Sequence, residues 1–228
     1  MKLRAIVPAA FVLLFGTAAQ AVEQPNDLAS SIDVSTPAPP PAVPRSYHVH
    51  DGFYFRAGIG TGPHWLKLKD DRFGADASTS GFDFSMEALV GGSPSEGFAI
   101  GGAFLFHALP STEIEIDGRG TGVDPNVGVA LIGPFVDGFP DPKRGFHVGG
   151  TLGIVGVQFS KLDATDEKRE SNGFGGAVWV GNDFWVGDEW SIGPSLRFMT
   201  TVTTDSSKDT DLTVTTRALT LSMTVLYH

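Results

Sequence analysis

The sequence predicts an all-β protein, an eight-stranded antiparallel up-and-down transmembrane β-barrel. Three observations predict this fold class: short alternating segments recur from Asp51 onward, their connections are long and short in turn, and the chain starts with an export signal. Successive side chains of a strand point to opposite faces, so each segment has one face for lipid and one for the lumen. The 29 Gly and 17 Phe residues suit such a fold, because Gly permits close strand approaches.

The first 50 residues are predicted to lie outside the barrel. Residues 1–21 read as a cleaved secretory signal, with a positive start, an apolar core and a small-residue cleavage site. Residues 22–50 are predicted to be a disordered periplasmic linker, because the proline-dense run 36–44 cannot form a helix or an internal strand. The barrel itself is predicted to span 51–228.

The first three strands are predicted at about 52–60, 81–91 and 98–108. A loop of about twenty residues, containing the charged patch 67–72, is expected after the first strand. The second strand has the clearest alternation, with Phe and Met on one face and Asp, Ser and Glu on the other. A short turn at 92–97 links the second and third strands.

The remaining strands follow the same rule of long and short connections. Four of them are predicted at about 127–136, 145–159, 173–185 and 212–228, and a further strand begins at about 190. Long loops are predicted at 110–126, 161–170 and 205–211, and short turns at 141–144 and 187–189. Outer-membrane barrels have this asymmetry, with short periplasmic turns and longer external loops. Aromatic residues near strand ends are expected to form interfacial girdles; they are Phe53, Phe98, Phe184, Trp185, Trp190 and Tyr227.

The last strand indicates whether the apolar face of the barrel points outward to lipid or inward, as in a soluble protein. Leu219 to Tyr227 alternates large apolar residues with smaller residues that are mostly polar. A soluble lipocalin-like carrier would place the apolar face inside, and alternation by itself leaves this alternative open. The small, Thr- and Ser-rich face suits a narrow lumen, whereas the Phe-rich face suits lipid. We therefore predict that the apolar face contacts lipid.

From about 52 to 228 the chain resembles small eight-stranded outer-membrane barrels of the OmpA, OmpX and OmpW type. The resemblance implies a location in the outer membrane of a Gram-negative bacterium, contact with outer-membrane lipid and lipopolysaccharide, and insertion by the barrel-assembly machinery. The final strand is similar to the assembly signal of such barrels, carried here by Leu221, Met223, Val225 and Tyr227. His228 follows the aromatic residue, where such barrels usually end in Phe.

Four charged residues are predicted to face the lumen: Arg56, Asp83, Glu87 and Arg197. Strand one lies beside strand two, so Arg56 is expected to reach Glu87. These charges would either gate a narrow channel for small solutes or form a structural plug, because an eight-stranded barrel is just wide enough for side chains to fill. The sequence therefore favours a structural or cell-surface interaction role, and a narrow channel for small solutes is the second hypothesis.

Other functions have weaker support in the sequence. His107 lies near Ser111, Thr112 and Glu113, which raises the alternative of a hydrolase that modifies lipid A or phospholipid, but such a set needs a geometry that spacing does not establish. We predict no enzyme activity, no cofactor and no metal, since the histidines are scattered and the acidic residues lack ligand spacing. A net charge of -10 argues against nucleic-acid binding.

Overall fold

The computed structural model describes residues 48–70, 75–110, 115–116, 119–120, 126–160, 169–205 and 212–228. The signal peptide predicted at 1–21 lies outside these residues. Of the linker predicted at 22–50, only residues 48–50 are described. Both assignments for residues 1–47 therefore stay predictions.

The described residues form eight long and three two-residue β-strands. The strands are β1 Gly52–Asp70, β2 Ala75–Ser95, β3 Phe98–Leu109, β4 Glu115–Ile116, β5 Arg119–Gly120, β6 Asn126–Gly138, β7 Phe146–Ser160, β8 Arg169–Asn182, β9 Phe184–Trp185, β10 Trp190–Asp205 and β11 Leu212–Tyr227. No helix in the described part of the chain is long and apolar enough to cross a membrane.

The eight long strands close into an antiparallel barrel, as the sequence predicts. Their order is β1, β11, β10, β8, β7, β6, β3 and β2, and β2 pairs with β1 again. Every long strand is hydrogen-bonded to a long strand on each side. Closure leaves no long strand with a free edge, which removes the usual risk of edge-to-edge aggregation.

The connections divide the barrel into two ends. The short links after β2, β6 and β9 lie with Gly52 and Tyr227 at what we call the terminal end. The opposite end, which we call the loop end, is where β1, β3, β7 and β10 finish. The three predicted short links are confirmed at the terminal end, but the predicted order of long and short connections is wrong after β1, where only residues 71–74 separate β1 from β2.

Apolar side chains cover the outside of the barrel. On β10, exposed and buried residues alternate over all 16 positions from Trp190 to Asp205, because one face points out and the other points into the lumen. Exposed aromatic residues lie near the terminal end at Phe53, Phe98, Phe146, Phe184 and Trp190, and toward the loop end at Trp65, Phe82, Phe174 and Phe198. This is the banded surface of a barrel that crosses a bilayer.

The loop predicted after the first strand is wrong in length. β1 continues to Asp70 and β2 begins at Ala75, so strand replaces most of the predicted twenty residues. In this part of β1 the polarity of the two faces is inverted: Lys67 and Lys69 are exposed, whereas Leu66 and Leu68 are buried inside. An outer face of lysines and an inner face of leucines is expected where a strand extends beyond the bilayer into water.

Side chains fill the lumen in two layers. Near the terminal end the inward residues are mostly polar or charged, and they are taken up in the next subsection. Toward the loop end apolar side chains are more numerous. This apolar layer includes Leu66, Leu105, Leu109, Val127, Val129, Val157, Met199 and Val214, together with buried hydroxyl residues such as Ser171, Thr201, Thr203 and Thr216. The polar layer is the candidate functional site because buried charged groups are costly unless they are paired.

Candidate functional site

Arg56 lies at the centre of the polar layer and contacts three other strands. Its Nε lies 2.9 Å from Oε1 of Glu87, and its Nη2 donates to Oγ of Ser195 at 3.0 Å. Its Nη1 donates to Oδ2 of Asp137 at 3.3 Å. The second carboxylate oxygen of Glu87 pairs with Arg197. Since β1, β2, β6 and β10 all contribute, the ion pairs extend across the lumen.

Asp137 is the main acceptor of this layer. Besides Arg56, Tyr54 donates its hydroxyl to Oδ2 at 2.7 Å and Trp179 donates its indole N–H to Oδ1 at 3.2 Å. Nδ1 of His147 lies 3.0 Å from the same carboxylate. Asp137 and His147 are both 0% exposed. A carboxylate with this many donors is stabilised in its charged form despite burial.

A glycine makes room for the contact between Trp179 and Asp137. Asp137 pairs with Gly149 on β7, Gly149 pairs with Trp179 on β8, and Trp179 pairs with Arg197 on β10. A Cβ at Gly149 would lie 2.5 Å from the Trp179 ring and 2.6 Å from the Asp137 carboxylate. Gly149 therefore leaves the space through which the two side chains on either side of it meet.

The structure places all four predicted lumen residues inside the barrel. Arg56, Asp83, Glu87 and Arg197 are 1–6% exposed. Three of them share the network described above, including the predicted pair of Arg56 with Glu87. Asp83 instead contacts two histidines, His64 and His107. Whether any of the four gates a channel stays a prediction.

Asp137, His147 and Trp179 were not among the residues predicted from the sequence. Asp137 lies on a strand that is apolar on both faces, so its alternation gives a weak signal. Its odd position in the strand could have identified Asp137 as a lumen residue, because the odd-numbered residues Val129 and Leu131 of β6 also point inward and are buried. An acidic residue on the lumen face of such a strand implies a basic partner across the barrel.

A cluster of rings covers the lumen at the terminal end. The ring of His50 stacks on Phe139 and Trp185, at centroid distances of 3.7 and 4.7 Å. Its Nδ1 is hydrogen-bonded to Nε2 of His228, and its backbone N–H donates to the carbonyl of Pro142 at 2.9 Å. The last residue of the predicted linker is thus packed against the barrel.

Burial changes the titration of this histidine pair, which lies outside the membrane-spanning strands. Desolvation, together with the charge of His147, lowers the pKa of His50 from 6.5 to about 4. Desolvation and the neighbouring His50 lower the pKa of His228 from 6.5 to about 3. Both rings are therefore neutral at pH 7, which allows one to donate a proton to the other.

The proposed hydrolase set receives little support from the geometry. His107 is 0% exposed and faces the lumen, where its Nδ1 lies 2.6 Å from Oδ2 of Asp83. Ser111, Thr112 and Glu113 lie outside the described residues. The described residues therefore give His107 an acidic partner, and the nucleophile of the hypothesis stays a prediction.

Comparisons with known proteins agree with the architecture. No protein-family model matches the chain, and no curated protein matches it. The solved structure of the outer membrane protein OprG from Pseudomonas aeruginosa is 12% identical and covers 80% of this chain and 100% of its own, with a TM-score of 0.50. The chain has the fold of a small outer-membrane β-barrel.

Two further solved structures match this barrel less well. Neisserial surface protein A is 15% identical, covers 77% of this chain and 96% of its own, and has a TM-score of 0.46. Ail, the attachment invasion locus protein of Yersinia pestis, is 14% identical, covers 76% of this chain and 99% of its own, and has a TM-score of 0.41. At these levels of similarity neither structure bears on the function of the barrel.

Proposed function

We propose that this protein is an outer-membrane barrel whose lumen is closed by a polar plug and whose role is structural or interactive at the cell surface. The observation that carries the proposal is the network of Arg56, Glu87, Asp137 and Arg197, which joins four strands across the lumen. Its members are nearly inaccessible to solvent, so side chains occupy the space that a solute would need.

Removing Arg56 is expected to open a path for ions. In the Arg56→Ala variant the contacts to Glu87, Asp137 and Ser195 are lost together, and water can enter the vacated volume. We expect the refolded wild-type barrel to be silent in planar bilayers and the variant to give discrete current steps.

Arg144 offers a matched control for this experiment. It lies in the short link after β6, with its side chain 83% exposed and paired only at the surface with Asp141. We expect Arg144→Ala to stay silent like the wild type. Discrete currents from the folded wild-type barrel would overturn the plug and favour the narrow channel. Equal silence in Arg56→Ala would show that the apolar layer and the terminal ring cluster close the lumen without Arg56.

The outer surface near the loop end supports contact with lipopolysaccharide. Lys67, Lys69 and Arg217 are exposed there on the neighbouring strands β1 and β11. They lie beside a groove of about 710 Å³ that Trp65 and Phe198 also line. Exposed aromatic rings next to a row of cations fit a lipid whose phosphates lie above its acyl chains. Although the chain is acidic overall, it thus carries a basic patch on the outer surface near the loop end, where the phosphates of lipopolysaccharide would lie.

Loss of two of these cations is expected to weaken lipopolysaccharide binding. Each basic residue near an anionic lipid surface contributes about 1 kcal/mol, so Lys67→Gln with Lys69→Gln should reduce affinity by roughly thirtyfold. The measurement is calorimetric titration of the refolded barrel with lipopolysaccharide at low salt. The double variant Lys143→Gln with Arg144→Gln, which removes two cations from the terminal end, should bind like the wild type; an equal loss in both would contradict a local site.

A further inference from the structure

Three buried residues of the lumen converge between the polar and the apolar layers. His64 on β1 pairs with Gly81 on β2, and His107 on β3 pairs with Ser85 on β2. Asp83 lies between Gly81 and Ser85 on the same inward face of β2, so it is the diagonal neighbour of both histidines. Diagonal neighbours on one face of a sheet are within reach of long side chains.

The three side chains meet at one carboxylate oxygen. Nδ1 of His64 lies 2.9 Å from Oδ2 of Asp83, and Nδ1 of His107 lies 2.6 Å from the same atom. His64 and His107 are 0% exposed and Asp83 is 2% exposed. The ligand atoms that the three residues offer all lie within 4.8 Å of one another.

Three polar atoms of this cluster are left over. Oδ1 of Asp83 and the Nε2 atoms of His64 and His107 are buried and have no hydrogen-bond partner among the described residues. A buried polar atom without a partner costs about 1–3 kcal/mol. Oδ1 of Asp83 belongs to the carboxylate on which both Nδ1 atoms converge, so this unpartnered oxygen indicates a missing group at that point, such as an ion with bound water.

We propose that His64, Asp83 and His107 bind a divalent transition-metal ion of the Zn²⁺ type. Two imidazole nitrogens and a carboxylate are ligands that suit Zn²⁺, Cu²⁺ and Ni²⁺. Each imidazole binds through the lone pair of Nδ1 as the neutral tautomer whose proton is on Nε2, and the ion takes the place of the two hydrogen bonds between Nδ1 and Oδ2. Oδ1 of Asp83 is free to become a second carboxylate ligand, and water completes the coordination.

The present geometry requires only a small expansion to hold such an ion. Zn²⁺ binds imidazole nitrogen and carboxylate oxygen at about 2.0–2.2 Å, which places tetrahedral ligands about 3.3 Å apart. The two nitrogen–oxygen distances of 2.9 and 2.6 Å therefore need to grow by about 0.4 and 0.7 Å. Gly81 and Gly62, opposite His64 and Asp83 on the paired strands, carry no side chain that would compete for the space.

Metal binding is tested on the full barrel refolded with Zn²⁺ present. The ion is supplied before folding because Leu66 and Leu109, two positions beyond the histidines, are buried on the loop-end side. After gel filtration we expect one Zn²⁺ per folded barrel by elemental analysis. His64→Gln, His107→Gln and Asp83→Asn should each weaken Zn²⁺ binding by at least about a hundredfold, since losing a ligand should exceed the 10–100-fold effect of an outer-shell change.

His48→Gln is the control, because it removes an exposed imidazole that lies outside this cluster and outside the lumen. We expect this variant to keep its one Zn²⁺. X-ray absorption of the wild-type complex tests the site independently of variant folding and should show two imidazole nitrogens with carboxylate oxygen. A wild-type barrel without Zn²⁺, or one whose Zn²⁺ survives all three substitutions, would overturn the proposal.

Discussion

The Asp137→Ala variant is expected to lose about 3–5 kcal/mol of unfolding free energy, the cost of removing one partner from a buried ion pair. Tyr54, Arg56, His147 and Trp179 all direct polar atoms at this carboxylate. Without it these groups remain buried with fewer partners. Urea unfolding of the refolded barrel in lipid vesicles measures the loss, and tryptophan fluorescence follows it because Trp179 contacts Asp137 directly.

Two controls separate charge from the general effect of losing an aspartate. Asp137→Asn keeps the size of the side chain and an acceptor oxygen but removes the charge, so its loss should be smaller than that of Asp137→Ala. Asp141→Ala removes an exposed pair with Arg144, which should cost at most about 1 kcal/mol. If Asp137→Ala cost no more than Asp141→Ala, the network would contribute little to stability.

Acidification is expected to destabilise the barrel through the histidine pair at its terminal end. Burial is the main cause that lowers the pKa of His50 to about 4 and that of His228 to about 3, against 6.5 for an unfolded histidine. Below pH 6.5 the two histidines become protonated in the unfolded chain but stay neutral in the folded chain. Stability from this pair is therefore complete above pH 6.5 and falls as pH decreases toward 4.

The expected slope follows from proton linkage. Each histidine that is protonated only in the unfolded state contributes about 1.4 kcal/mol per pH unit, so the pair contributes about 2–3 kcal/mol per unit between pH 6 and pH 4. Carboxylates elsewhere in the chain also titrate in this range. The relevant quantity is therefore the difference between the wild type and the double variant His50→Gln with His228→Gln.

Unfolding free energies at pH 7, 6, 5 and 4 would measure this difference. We expect the double variant to have the shallower pH dependence, and His48→Gln, which removes an exposed imidazole, to follow the wild type. Parallel curves for the wild type and the double variant would show that the pair does not titrate as its burial requires.

Much of the fold can be predicted from the sequence because strand alternation is a local property. The outward and inward residues of β2 and β10 follow directly from their parity, and the short turns follow from Gly, Pro and Asp at fixed positions. The prediction failed after residue 60, where the outer face of β1 changes from apolar to charged. Alternation continues there, but its polarity inverts because water replaces lipid around the strand.

The sites depend on strand register, which one strand's pattern does not specify. The pairing of Arg56 with Glu87 could be predicted because β1 and β2 are consecutive strands in the sequence. Asp137 meets Arg56 only because four further long strands, β7, β8, β10 and β11, close the ring.

The sequence by itself determined that this protein forms an eight-stranded barrel, where the three links at its terminal end lie and which face of each strand points inward. Those properties depend on side-chain period and on backbone preferences within a few residues. Only the tertiary structure decided that the lumen is closed by a network around Asp137 and that His64, Asp83 and His107 converge. The physical reason is that barrel closure and register set distances between residues far apart in the chain, and buried polar groups then pair with whatever lies within reach.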